Sequence, residues 1–310
     1  MPPVKREPGG LKPGPVVTKP ERTAPESNGS APGVALSDTD ESAVTAKPSH
    51  PWSSPASVID KQGLSMFLFS NPGIGKTTLG LSMLHSLDGG PMLIINWDEE
   101  LRSISDLGDD SGVSVWPGEK QGGKISSWQQ AESFCDDLLR RKHPFKCFMF
   151  DTLNSAYDKF ALPYVRAQNP GSKDPRQLFG QANDLLLRMI TNYCGAAREK
   201  GWNVLFTGHA EEKQVGENGP IITRPKITPG VVLGLNQRVS IIGYLHPAVG
   251  LTPRKLQLEP SPKATAKIHQ PRTGPKVPGR IPNPDLGLLI NHLKHHVPYP
   301  SATKGSDSDG

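Results

Sequence analysis

Cysteine is scarce in this chain of 310 residues: Cys135, Cys147 and Cys194 are the only three, and no two stand at C-x-x-C spacing. That argues against a disulfide scaffold and against a zinc site, and it suits a reducing cytoplasm. Apolar residues are also few, at 35% of the chain, with aromatics at 6%. No apolar run approaches the ~20 residues needed to cross a bilayer, so no membrane association is expected. The first residues are polar and proline-rich without an apolar h-region, so they do not read as a secretory signal. His292, His295 and His296 stand close together, but no carboxylate or cysteine accompanies them, and no metal is expected there.

What the chain has in excess is proline and glycine, 32 of each, and much of that bias sits toward the two ends. Residues 1–56 are rich in Pro, Ser, Thr, Gly and Ala and offer almost nothing large to bury, the composition of a disordered arm that could serve as a docking tail for a protein partner. Residues 57–297 carry the patterning of one folded domain, and 298–310 read as a second disordered tail. The net charge of +5 is too small to identify a nucleic-acid partner by itself.

Within the folded part, short apolar runs alternate with amphipathic stretches. Met66–Phe69, Met92–Ile95, Gly112–Trp116, Phe145–Phe150, Asn203–Thr207, Ser240–Leu245 and Lys255–Leu258 read as strands. Ser126–Arg141, Arg176–Lys200 and Pro284–His295 read as helices, and Gly201 closes the long central one. Residues 152–175 form a mixed segment, and Gly216–Gly230 reads as a polar loop. Strands alternating with helices predict an α/β fold with a mostly parallel central sheet covered on both faces.

The stretch around which the rest is organised is Ser65–Leu84, SMFLFSNPGIGKTTLGLSML. It reads as a buried strand, a glycine loop and a helix. This is the phosphate-binding pattern G-x-x-x-x-G-K-[ST] with Ser70 in place of the first glycine. A bare G-K-[ST] arises by chance in roughly one chain in seven of this length. The flanking strand and helix cut that about tenfold. Gly73 and Gly75 let backbone N–H groups approach an anion, and the helix start adds its positive dipole end. Asn71, Pro72, Gly73, Ile74, Gly75, Lys76, Thr77 and Thr78 are the expected ATP-binding residues. Lys76 would reach the β- and γ-phosphates, and Thr77 would place a hydroxyl on Mg²⁺. If Ser70 had to adopt an unusual backbone angle, its Cβ would cost about 1 kcal/mol.

A nucleotide site also needs acids. Asp151 ends the strand FMFD, at the sheet edge where ligands bind, and is the expected second Mg²⁺ group beside Thr77; the plainer alternative is an Asp capping the next turn. Hydrolysis needs a carboxylate to orient water. Asp98, Glu99 and Glu100, at the end of the strand after the loop helix, are the candidates, with Asp98 preferred over Glu99. Otherwise the cluster is a solvated acidic turn. His209 ends the strand VLFTGH, where a polar group can sense the γ-phosphate or simply serve as a hydrogen-bonded strand end. From Pro260 to Pro284 the charges are all positive: Lys263, Lys267, Arg272, Lys276 and Arg280. These residues, with Arg224 and Lys226, suit either phosphate contact or plain solvation.

The series SNPGIGKTT, NWDEE, FMFDTLN, FTGHAEEK and AKIHQPRTGPKVPGRIPNPDL resembles the phage-encoded RecA-like AAA ATPases. These are often called phage nucleotide-binding proteins, and some of them act in single-strand annealing or recombination. The resemblance covers roughly residues 60–296. It implies a RecA-like P-loop fold, ATP and Mg²⁺ as ligands, single-stranded DNA as a partner, homo-oligomers, and a place in the cytoplasm. It also implies that Asp98 stands in for a catalytic glutamate, one methylene shorter. His209 falls at a γ-phosphate sensor, Gln214–Gly230 at a DNA-binding loop, and Lys267 at the first residue of a basic pair that reaches a neighbour's nucleotide, with His269 where the pair's arginine is usual and Arg272 close by. A P-loop small-molecule kinase and a non-hydrolysing nucleotide-gated module are the competing readings.

Overall fold

The strands Ser65–Ser70, Met92–Asn96 and Cys147–Asp151 are short, rich in large apolar residues and buried along their whole length, so they must be covered on both faces. The computed structural model describes residues 62–98, 107–118, 122–214, 216, 219–250, 253–262, 264–270 and 276–300. The expected N-terminal arm, most of the C-terminal tail, Glu99, Glu100, Lys263 and Arg272 lie outside the described residues.

In chain order the elements are β1 (Ser65–Ser70), α1 (Lys76–Leu81), β2 (Met92–Asn96), β3 (Val113–Trp116), α2 (Trp128–Arg140), β4 (Cys147–Asp151), α3 (residues 153–168), α4 (Pro175–Lys200), β5 (Asn203–Gln214), β6 (Ile221–Pro225), α5 (Pro229–Arg238), β7 (Ile241–His246), β8 (Lys255–Gln257), β9 (Lys267–Ile268), β10 (Arg280–Pro282) and α6 (Leu286–His295). The described strands form one sheet in the order β10-β8-β7-β1-β5-β4-β2-β3, with β6 paired to β5 and β9 to β7. From β7 to β3 the pairing is parallel, and β8, β9, β10 and β6 join antiparallel. This is an α/β P-loop NTPase fold, and the expected strand series and long helices are present.

Alternation along the strands divides the core in two. Phe67, Phe69, Leu93, Ile95, Phe148, Phe150, Val204 and Phe206 face α2, α3, α4 and α5. Met66, Leu68, Met92, Ile94, Met149 and Leu205 face α1 and α6. Gly80 brings α1 tight against the second face: a Cβ there would lie 2.4 Å from the Met149 sulfur.

Two segments differ from expectation. The mixed segment after Asp151 is helical through residue 168. Its turns over Ala156–Ala161 are widened to i→i+5 bonding, which shifts the apolar spacing off 3.6 and hides the helix from a periodicity reading. Gly216–Gly230 is not simply a loop. Ile221–Pro225 pairs antiparallel with the far half of β5, Glu211 opposite Arg224 and Glu212 opposite Thr223, and Pro229 opens α5. β5 therefore runs seven residues past Thr207, the end expected for it, to Gln214.

Candidate functional site

Three parallel strands, β1, β4 and β2, end at one edge, β5 passes through it at His209, and the residues there make the site. Register sets Ser70 of β1 opposite His209 of β5, and Asn96 of β2 opposite Asp151 of β4. The chain then turns at each end. From Ser70 it enters the glycine loop, where Gly73 (φ 76°) and Gly75 (φ 92°) take left-handed backbone that a side chain would strain. From Asn96 it passes through Trp97, whose N–H donates to the Asp151 carbonyl at 2.7 Å. An open cleft of about 340 Å³ results, lined by the loop, Asp98, Asp151, Thr152 and His209.

Ser70 removes one concern raised by the sequence. It is the final residue of β1 and fully buried, and the only non-glycine described residues with positive φ are Asn283 and His296. The position asks for extended backbone, which serine adopts without strain. Its hydroxyl donates to the Asn71 carbonyl at 2.9 Å.

Lys76 opens α1 and is 6% exposed. Its ammonium folds back over the loop, 3.3 Å from the Asn71 carbonyl and 3.4 Å from the Ser70 carbonyl and hydroxyl. Burial lowers its pKa, while the negative charges of Asp151 and Asp98 pull it the other way. The cation is thus held close to two acids by long, weak contacts that a phosphate could replace. Of the other loop residues, Asn71, Pro72 and Thr78 are exposed, and Ile74 packs toward the α1 face of the core.

Thr77 and Asp151 meet directly. The Thr77 hydroxyl donates to Asp151 Oδ2 at 2.7 Å, and the Thr207 hydroxyl donates to the other carboxylate oxygen. Asp151 is 8% exposed. A hydroxyl and a carboxylate at this spacing suit Mg²⁺, which keeps most of its shell as water and phosphate oxygen and needs few protein ligands. Among the described residues no group of three or more His, Cys, Asp or Glu is gathered as a self-sufficient metal cage. The donor set therefore fits a metal that arrives with a nucleotide.

Asp98 faces the same cleft from β2's end. It accepts from the Ser155 hydroxyl, from the Thr152 hydroxyl at 3.3 Å and from Lys159 at 3.4 Å. Burial alone would raise its pKa. Ser155, Lys159 and His209 outweigh that and hold it below the ordinary carboxylate value. His209 Nε2 lies 3.8 Å from Asp98 Oδ2, and Nδ1 is buried with no hydrogen-bond partner among the described residues. Burial, with Lys76 nearby, pushes the imidazole below its ordinary pKa against the pull of Asp98 and Asp151.

The outlying candidates are placed elsewhere. Arg224 pairs with Glu211 across the β5–β6 hairpin at 2.7 Å. Lys226 follows that hairpin, and its carbonyl accepts from Asn154, whose oxygen also accepts from the His209 N–H at 2.7 Å. Lys267, expected to reach a neighbour's nucleotide, turns inward: its ammonium donates to the carbonyls of Asn236 at 2.6 Å and Val239 at 3.0 Å. There it caps the C-terminal end of α5, where a cation is favoured.

Sequence reasoning missed Thr207, Ser155, Lys159 and Arg254. Thr207 was legible as the inward polar residue two before His209. Ser155 and Lys159 stand four apart on α3, one face of a helix that the periodicity concealed. Arg254 precedes β8 and donates to the Ile74 carbonyl at 3.3 Å; nothing local marks it.

No curated protein matches the chain. The family model described as an AAA domain matches residues 62–269, from just before β1 to just after β9. That span contains the loop, both acid-ended strands and the β5–β6 hairpin. The chain belongs to the AAA domain family, as an AAA-type nucleotide-binding protein.

Proposed function

We propose that this protein is a RecA-like ATPase that binds Mg²⁺–ATP in the cleft and acts with single-stranded DNA, in annealing, recombination or replication of a phage genome. The observation that carries the reading is the Thr77–Asp151 contact, opposite Lys76 and beside Asp98. Bound Mg²⁺ would neutralise developing phosphate charge. The chain's own groups do the rest. Loop N–H groups and Lys76 orient the phosphates. Asp98, kept ionised, is the group that would hold and deprotonate the attacking water. β5 lies between β1 and β4 and delivers Thr207 and His209 to the same edge. It then continues into the hairpin that occupies the position of the expected DNA-binding loop. Gly73 and Thr78 are exposed, so a second copy of the chain could close the site over the nucleotide.

The test is ATP hydrolysis by the purified chain with and without single-stranded DNA, with the assembled mass measured alongside. Turnover that rises on adding DNA and falls about 10²- to 10³-fold in Lys76→Ala supports the reading. ATP hydrolysis indifferent to DNA at every salt concentration would remove the DNA part of it. One observation favours the non-hydrolysing alternative: the Asp98 carboxylate is already engaged by Ser155, Thr152 and Lys159. Tight ATP binding with turnover at the uncatalysed rate would select that alternative.

A further inference from the structure

A second pocket of about 440 Å³ opens at the same sheet edge, on the side of β1 away from Asp151. Register builds it. Arg280 of β10 lies opposite Gln257 of β8, Gln257 opposite Tyr244 of β7, and Tyr244 opposite Phe69 of β1. Directly paired residues share a face, so these four side chains form one row. His246, two residues beyond Tyr244, joins the same face. An aromatic ladder follows, with Phe69 and Tyr244 5.2 Å apart and Tyr244 and His246 4.4 Å apart. Tyr244 is buried and His246 half-buried, so the imidazole is the open end of the ladder. Thr223 of the β5–β6 hairpin and the residues Ser261, Pro262 and Ala264 complete the rim, joined by a bridge between Thr223 and Ala264.

The imidazole is held in one tautomer. The Gln257 amide nitrogen donates to the Glu259 carbonyl at 2.9 Å and to the Ser261 hydroxyl at 3.0 Å. Both amide protons are used, so its oxygen accepts from His246 Nε2 at 2.9 Å. His246 carries a proton on Nε2, and Nδ1 is the ring nitrogen left for other partners. Arg280 is exposed, and no carboxylate pairs with it among the described residues. The charge of Glu212 bears on Tyr244, and the Glu259 carboxylate lies against Gly279, the residue before Arg280.

We propose that this pocket receives one base of a single strand of DNA, stacked on His246, with the neighbouring phosphate on Arg280. A flat ring at the mouth accepts any base, because every base has a π-face. The imidazole and hydroxyl groups can bond base edges, and a guanidinium with no carboxylate partner among the described residues suits a phosphate in a bidentate grip. One strand serves both sites. β5 places Thr207 on Asp151 and His209 beside Asp98, and three residues later Glu212 pairs with Thr223 at the pocket rim. This inference rests on the single-stranded DNA reading above.

The experiment uses the full chain with Mg²⁺ and ATP and a fluorescent oligothymidylate carrying one 2-aminopurine. Affinity is followed by anisotropy across a salt series, and stacking by 2-aminopurine quenching. The wild type binds and quenches. Arg280→Ala weakens binding about tenfold and lowers the salt slope by about 0.7, one phosphate's worth on a single strand. His246→Ala weakens binding about tenfold and loses quenching, and His246→Phe retains both. Binding of a fluorescent ATP analogue in the cleft stays within about twofold in all three, which reports that they are folded. Unchanged DNA binding and quenching in Arg280→Ala and His246→Ala would overturn the pocket and leave the DNA reading standing. A wild type that binds no single-stranded DNA would overturn both.

Discussion

The two halves of the sheet are built differently. In the parallel half, β1, β4 and β2 end beside the middle of β5, and the polar groups there already hold one another: Thr77 and Thr207 on Asp151, Ser155 and Lys159 on Asp98, Lys76 over its own loop. In the antiparallel half, β7, β8 and β10 leave an open pocket with an exposed arginine. A pre-paired cluster costs little reorganisation when a charged ligand replaces its internal bonds, which suits chemistry on phosphate. An open aromatic shelf with an unpaired cation suits reversible contact with a long, variable polymer. The contrast is between a rigid site for one small ligand and a platform beside it.

The sharpest way to break this comparison is Asp151→Asn. It removes the charge that Thr77 and Thr207 address and that would face Mg²⁺. Turnover should fall about 10²- to 10³-fold, read by phosphate release, while DNA affinity in the salt series stays near wild type. A comparable loss of both would mean that the two halves are one site. Next in size is Gly80→Val, which drives a side chain into Met149 and Leu205 beneath the loop helix. Overpacking there should cost about 1–3 kcal/mol in a urea titration.

His209 supplies a pH test. Its folded pKa lies below the ordinary 6.5, chiefly through burial. Below that value the unfolded chain takes up a proton that the folded imidazole resists, so stability falls as pH drops through the window beneath 6.5. His209→Gln should flatten that part of the curve between about pH 7 and pH 5 in thermal melts. The smallest effect belongs to Ser70→Gly. Restoring the glycine of the general pattern should leave ATP affinity unchanged and lower stability by about 0.5–1 kcal/mol, because this position holds extended strand backbone in which glycine loses more conformational freedom.

The parallel half was legible because each of its motifs is local. A strand, a glycine turn and a helix start lie within twenty contiguous residues, and Asp98, Asp151 and His209 each close an apolar run. In the antiparallel half the strands β7 and β8 and the charge of Arg280 were legible, but the pocket they build was not. Arg280, Gln257, Tyr244 and Thr223 come from four separate stretches that meet only through long-range pairing, which no local pattern encodes. The α3 helix was hidden by its widened turns, and β6 by the Gly and Pro residues that flank it. Lys267 illustrates the limit of a charge pattern. The basic run was visible, but the partner that captures this lysine, the carbonyl end of α5, depends on where the chain folds.

The central claim is that Thr77 and Asp151 together hold a metal under a triphosphate gripped by Lys76. The most direct measurement is calorimetric titration of the full chain with ATP, in Mg²⁺ and in a chelator, for wild type and Asp151→Asn. The account predicts that wild-type affinity drops about tenfold or more when Mg²⁺ is removed and that the variant loses most of this dependence. Equal wild-type affinity with and without the metal would contradict it.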